Sequence, residues 1–135
     1  MKKENKRISC IENGLTKEAK IELTEDIESV KIKFILEKRI IEKEDETFFG
    51  ALIKVREELE KINIKLLCKG CCTNVYPSGM LLSMGTGRTA YSLTYGEQAK
   101  NNSLVDIFSP CLIEDYGTIK QQAEFFESWV ESIGK

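Results

Sequence analysis

The chain has 135 residues, of which 41% are hydrophobic and 31% charged, the composition of an ordinary water-soluble protein with a real core. Its 20 basic and 22 acidic residues give a net charge of −2, whereas a dedicated nucleic-acid-binding protein usually carries a strong basic excess. Histidine is absent, which removes the usual general base and the commonest transition-metal ligand. The composition therefore argues against nucleic-acid binding, a metal and catalysis, although carboxylates, lysine and tyrosine remain as acids and bases. We expect no cofactor.

No stretch of the sequence predicts export or membrane insertion. The charged residues 1–7 are not followed by the apolar segment of a signal peptide, and no apolar run approaches the length of a membrane span. We therefore expect a cytoplasmic protein without membrane contact. In that reducing compartment the five cysteines, an odd number, are expected to be free thiols.

Residues 1–20 are polar and are interrupted by Gly14. They predict a loosely ordered lead-in to a single domain that spans residues 1–135. A short strand is expected at residues 21–23.

The next segment begins as a clear strand. Val30, Ile32 and Phe34 alternate with two lysines, which is the pattern of a strand with one buried face. The alternation continues imperfectly to residue 41, so we expect a bulge or bend there.

Two segments predict amphipathic helices. In the first, Asp45 is the expected N-cap and Asn63 the expected end. Its apolar stripe comprises Phe48, Leu52, Val55, Leu59 and Ile62, and its outer face carries Lys54, Arg56, Glu57, Glu58 and Glu60. In the second, Thr118 and Gln121 have the spacing of a capping box, and Gly134 is the expected end. One side of this helix comprises Ile119, Gln122, Phe126, Trp129 or Val130, and Ile133.

Short strands are expected at residues 64–70, 89–95 and 104–108, because each is a brief apolar or alternating run bounded by turn residues. The predicted element order is β-α-β-β-β-α. This order indicates an α+β fold, a mostly antiparallel sheet of four to five strands with the two main helices packed on it.

Residues 68–88 lie between the helical and strand patterns and hold three of the five cysteines. Bulky apolar residues alternate there with Pro77, Gly79, Gly85 and Gly87, which regular helices and strands do not accommodate well. We predict an ordered, packed loop, and such loops on a rigid scaffold are common sites of function.

Cys68 and Cys71 form a C-x-x-C motif with Cys72 beside it. A zinc site would need four ligands, and the only further sulfurs are Cys10 and Cys111. A thioredoxin-like pair would normally open a helix, whereas a polar, proline-containing loop follows here. The favoured interpretation is that these cysteines are small side chains on a buried strand.

Residues 85–88 contain two glycines but lack the lysine and the following helix of a phosphate loop.

The loop and its flanks carry a polar and aromatic set that could bind a ligand or partner. Its members are Asn74, Tyr76, Ser78, Arg88 and Tyr91. No nucleophile and base pair is evident among them. In the alternative interpretation the tyrosines pack half-buried, with their hydroxyls bonded to the loop backbone.

The acidic runs, including Glu57 and Glu58, are typical of solvated helix faces, although together they would also suit a basic partner.

A string of residues in this part of the chain resembles a known family. It consists of Asn-Val-Tyr-Pro-Ser-Gly-Met at 74–80, Met-Gly-Thr-Gly at 84–87, Ala-Tyr at 90–91, Gly96, and Leu-Val-Asp-Ile-Phe at 104–108. It is similar to the immunity proteins of bacterial contact-dependent growth inhibition systems, in particular those against ribonuclease toxins. The resemblance covers about residues 48–133 and leaves out the first forty.

This resemblance implies a protein without catalytic activity that binds a cognate nuclease toxin domain in the cytoplasm and blocks its active or RNA-binding surface. The candidate partner-binding residues are Asn74, Tyr76, Ser78, Arg88, Tyr91, Glu57, Glu58 and Asp106. In a second interpretation the 68–88 loop binds a small ligand or peptide. In a third, Cys68 and Cys71 serve a thiol enzyme.

Overall fold

A computed structural model describes residues 1–84 and 86–134 and shows the predicted α+β fold. A curled antiparallel sheet of five strands has the order β4-β3-β2-β1-β5. Its strands are β1 (Lys2–Glu12), β2 (Leu15–Glu25), β3 (Val30–Leu36), β4 (Arg39–Asp45) and β5 (Ile64–Leu66). A second antiparallel sheet consists of β6 (Val75–Tyr76), β7 (Thr89–Ser92) and β8 (Leu104–Asp106), in the order β6-β7-β8. The helices are α1 (Phe48–Lys61), α2 (Gly79–Met84) and α3 (Ile119–Ile133).

The prediction of a loose lead-in at residues 1–20 is wrong. β1 and β2 pair along their whole length, from Lys2 opposite Glu25 to Glu12 opposite Leu15. Asn13 and Gly14 both have positive φ, 53° and 76°, as a two-residue type I′ hairpin turn requires. The segment looks polar because charged residues lie on both faces of the hairpin, including Glu12 and Lys17 next to the turn, whereas the buried positions farther from the turn, such as Ile8 and Ile21, are apolar.

The strand predicted from Val30 is β3, and the irregularity expected within it is a complete reversal of the chain. Glu37 has φ 57°, and β4 returns from Arg39 alongside β3. The inward residues of β3 are all buried. The imperfect alternation therefore marked a hairpin turn instead of a bulge.

Helix α1 covers the inner face of the five-stranded sheet and follows the predicted stripe, except that Ile62 lies beyond the helix and is 40% exposed. Thr47 caps this helix, not Asp45, since the Thr47 Oγ1 accepts the Gly50 N–H at 3.0 Å. Asp45 instead ends β4 and lies 3.1 Å from the Lys54 ammonium. Asn63, at φ 58°, follows the end of the helix as predicted.

Helix α3 begins with the predicted capping box. The Gln121 N–H donates to the Thr118 Oγ1 at 3.1 Å, and the Thr118 N–H donates to the Gln121 side chain at 2.9 Å. Trp129 is buried and Val130 is exposed, which decides between the two predicted alternatives. Gly134 is the C-cap.

The segment predicted as an irregular loop contains regular structure. β6 and the six-residue helix α2 lie within it, and Lys69–Cys71 form a short 3-10 turn. Gly85 lies outside the described residues. The strands flanking this segment are shorter than predicted, because β5 ends at Leu66, β7 at Ser92 and β8 at Asp106.

Candidate functional site

Two buried polar side chains hold the 70–76 segment in place. Arg56 of α1 is only 2% exposed, and its Nη1 donates to the Gly70 carbonyl at 3.1 Å and to the Gln122 Oε1 at 2.7 Å. Its Nη2 donates to the Gly117 carbonyl at 2.9 Å. The prediction that Arg56 lies on the outer face of the helix is therefore wrong. The guanidinium lies inside because three oxygens from separate segments surround it.

Gln122 of α3 completes this buried arrangement. Its Nε2 lies 2.9 Å from the carbonyl oxygens of Gly70 and Cys72 and 2.8 Å from that of Val75. The sequence pattern places Gln122 in the apolar stripe of this helix and indicates no role for it. A lone amide in an otherwise apolar stripe is the signal that points to a buried polar contact of this kind.

Arg88 and Asp106, both candidate partner-binding residues, meet in the structure. The Arg88 Nε lies 3.2 Å from the Asp106 carboxylate, and its Nη1 lies 2.7 Å from the Glu4 carboxylate of β1. The guanidinium carbon also lies 5.5 Å from the centre of the Phe108 ring. The hydrogen bond from Arg88 lowers the pKa of Glu4. These contacts connect the two sheets through Arg88.

Two other members of the predicted set also make internal contacts. The Asn74 Nδ2 donates to the Leu93 carbonyl at 3.0 Å, fixing the start of β6 beside the end of β7. The Ser78 Oγ accepts the Leu81 N–H at 3.1 Å and so caps α2. The polar atoms of Asn74 and Ser78 therefore stabilise the local fold.

The two tyrosines of the set lie opposite each other in the β6–β7 pair. The Tyr76 ring is stacked on Phe126 of α3, with 4.1 Å between ring centres, and meets Phe49 of α1 edge-on at 5.2 Å. Both tyrosines are half-buried. This placement agrees with the predicted packing of their rings, and Tyr76 joins both long helices to the smaller sheet.

Acidic side chains occupy the exposed surfaces of both long helices. Glu57 is exposed on α1, and the neighbouring Glu58 lies 2.9 Å from the Lys61 ammonium. On α3, Glu124, Glu127 and Glu131 are all exposed and share one face of the helix, since they are three and four residues apart. No Lys or Arg among the described residues forms an ion pair with these three carboxylates.

All five cysteines are buried free thiols, in agreement with the favoured interpretation of their burial. Cys71 ends a 3-10 turn and Cys68 is its N-cap, so neither lies on the expected strand, and their sulfurs are 3.6 Å apart. The sulfurs of Cys72 and Cys111 are 2.8 Å apart, and their hydrogen bond raises the pKa of Cys111. Among the described residues no group of three or more cysteines and carboxylates could hold a metal ion.

Tyr116 gives a testable pH effect. Burial raises the pKa of its hydroxyl from 10 to about 12. Because the folded state then binds the proton more tightly, this contribution to stability is present below pH 10 and is lost as the pH rises through 12. We expect Tyr116→Phe to remove the tyrosinate absorbance step near pH 12, whereas Tyr95→Phe, at an exposed ring, should retain it. A late step that persists in Tyr116→Phe would contradict the assignment.

No protein-family model matches the sequence, and no curated protein matches it. None of the helices among residues 1–84 and 86–134 is long and apolar enough to cross a membrane.

Proposed function

We propose that this protein is an immunity protein that binds a cognate ribonuclease toxin domain in the cytoplasm and blocks its active or RNA-binding surface. The observation that carries the proposal is the string at residues 74–108, which resembles that of contact-dependent growth inhibition immunity proteins. In the structure, polar residues of this string contact other parts of the same chain. Asn74, Ser78, Arg88 and Asp106 use polar atoms for internal contacts, so the string builds the scaffold and other surfaces are available to the toxin.

The exposed face of α3 is the surface that we propose for the contact with the toxin. A ribonuclease must present a basic surface to the phosphates of its substrate. Glu124, Glu127 and Glu131 provide an acidic surface of regular spacing on a helix whose other side is anchored by Gln122 and Trp129. A rigid acidic surface favours fast association with a basic partner and would cover the region that RNA must reach.

The test is co-expression with the toxin domain encoded immediately upstream, measured as cell survival and as co-elution on a sizing column. Survival with a one-to-one complex is the expected result. A folded protein that neither rescues cells nor co-elutes with the toxin would refute the proposal.

Reversing the charges of the α3 glutamates tests whether this helix forms the interface with the toxin. We expect Glu124→Lys with Glu127→Lys and Glu131→Lys to weaken toxin binding about tenfold or more, chiefly by slowing association, with the largest effect at low salt. The matched control reverses three exposed carboxylates of the five-stranded sheet and its turns, Glu18, Glu28 and Glu42. Equal losses in both triple variants would indicate a general charge effect and would remove α3 from the interface.

The alternative, a small-ligand site in the 68–88 segment, has less support from the geometry. Asn74 and Ser78 direct their polar atoms at neighbouring backbone, and Tyr76 is stacked against Phe126. A ligand that binds only the folded form would raise the melting temperature, so a thermal-shift screen distinguishes this alternative from the immunity proposal.

A further inference from the structure

One edge of β1 is only partly used by the five-stranded sheet. β2 pairs with β1 from Lys2 to Glu12, whereas β5 pairs with it only from Cys10 to Glu12. The Leu67 N–H still donates to the Ser9 carbonyl at 2.9 Å, but at Cys68 the chain leaves the sheet and bridges to Pro110. Among the described residues, the stretch from residue 2 to residue 8 therefore has a strand neighbour on one side only.

The direction of the free backbone groups follows from the antiparallel geometry. Successive residues of a strand direct their N–H and C=O groups to opposite edges of the sheet. The Ser9 carbonyl points toward β5, so Lys3, Asn5 and Arg7 direct their N–H and C=O groups to the same side. No described residue forms a backbone hydrogen bond with these groups on that side. We call residues 3–7 on this side the open edge.

A cleft adjoins the Arg7 end of the open edge and is also lined by Leu67, the residue that follows β5. It has a volume of about 440 Å³ and separates residues 6–9 of β1 from residues 108–113. Its apolar lining includes Ile8, Leu67, Phe108, Pro110 and Leu112. Leu112 and Ile113 are 62% and 44% exposed. A strand antiparallel to β1 would place side chains against this apolar wall.

The charges around the open edge indicate what kind of segment would bind there. Lys2, Lys3, Lys6 and Arg7 lie in this part of β1 itself. On the neighbouring strand β2, Lys20 lies opposite Arg7, and Glu22 and Glu25 lie opposite Asn5 and Lys2. The one carboxylate of this part of β1, on Glu4, already forms an ion pair with Arg88. An acidic segment complements this surface. A second copy of β1 does not, because antiparallel pairing centred on Asn5 would place Lys3 opposite Arg7.

We propose that the open edge of β1 binds an extended acidic segment of a partner protein, which adds to the sheet as a strand antiparallel to β1. Main-chain hydrogen bonds to Lys3, Asn5 and Arg7 hold the segment, and an apolar side chain near its N-terminal end occupies the cleft beside Phe108 and Leu112. Acidic side chains follow toward Lys3. This surface is formed by β1 and residues 108–113, and its occupation does not depend on the toxin proposal for α3.

The test uses a fluorescent probe peptide of sequence Leu-Glu-Val-Glu-Val-Asp with blocked ends, titrated with the full-length protein and followed by anisotropy. We expect saturable binding to the wild-type protein. Methylation of alternate backbone nitrogens of the peptide, on the side that faces β1, should weaken binding about tenfold or more, because it removes strand hydrogen bonds at constant charge. This comparison leaves the protein unaltered, so it does not depend on the folding of a variant.

Protein variants give a second readout. Asn5→Pro removes one N–H that points to the open edge and none that bonds β2, and it should weaken binding about tenfold. Lys3→Glu with Arg7→Glu should weaken it at least as much. The matched control, Lys31→Glu with Lys33→Glu on the outer face of β3, makes the same charge change away from the edge and should retain binding. Absence of saturable binding, or equal binding of the methylated peptide, would overturn the proposal.

Discussion

Replacing Gln122 with leucine should lower the free energy of unfolding by about 3–5 kcal/mol. The leucine side chain has a similar size and suits a helix, so the loss would come from hydrogen bonding. The substitution leaves the Val75 carbonyl without its side-chain donor and the Cys72 carbonyl with only the Val75 N–H at 3.3 Å, and it removes the acceptor at Gln122 Oε1 from the Arg56 guanidinium. Buried polar groups without partners cost about 1–3 kcal/mol each, and more when charged.

The measurement is equilibrium unfolding in urea, with circular dichroism as the signal. The matched control is Gln121→Leu, the same change one residue earlier at an exposed position. Among the described residues the Gln121 Oε1 accepts a hydrogen bond from the Thr118 N–H alone, so loss of this side chain should cost about 1 kcal/mol or less. Equal destabilisation by the two variants would contradict the central role of Gln122.

Local sequence patterns were sufficient for the long helices. The apolar stripe of α1 and the capping box of α3 depend on residues three or four apart, so nearby sequence contains the required information. The β1–β2 hairpin had an equally local signal, since an Asn-Gly pair at 13–14 is typical of a type I′ turn. It was missed because the many charged residues of both strands made the segment look polar throughout.

The buried polar contacts could not be predicted from local sequence patterns. Arg56 lies on a stretch of charged residues and was therefore placed outside, yet its acceptors include Gly70, Gly117 and Gln122, which come from other segments. Only the assembled fold shows that these oxygens converge. The candidate site was limited in the same way, because the sequence identifies Arg88 and Asp106 as polar residues but not as partners of each other.

Replacing Gly117 with alanine should lower the free energy of unfolding by about 2–4 kcal/mol. A β-carbon there would collide with the Thr73 Oγ1 and lie 3.0 Å from the Thr73 Cα and Cβ. Backbone hydrogen bonds hold the two segments together on both sides, since the Thr73 N–H donates to Asp115 and the Gly117 N–H donates to Cys71, each at 2.9 Å. Separation of these segments would also displace the carbonyl that Arg56 contacts.

Urea unfolding of two further variants tests whether this close approach is the cause. Gly79→Ala makes the same chemical change where nothing lies within 4 Å, so its effect should stay within about 0.5 kcal/mol. Thr73→Ala removes the colliding oxygen and should recover part of the stability lost in Gly117→Ala, while the remaining contact with the Thr73 Cα limits the recovery. Strictly additive effects of the two substitutions would show that residues 73 and 117 do not constrain each other. The close packing of residues 115–117 against 71–73 would then have to be attributed to their backbone hydrogen bonds alone.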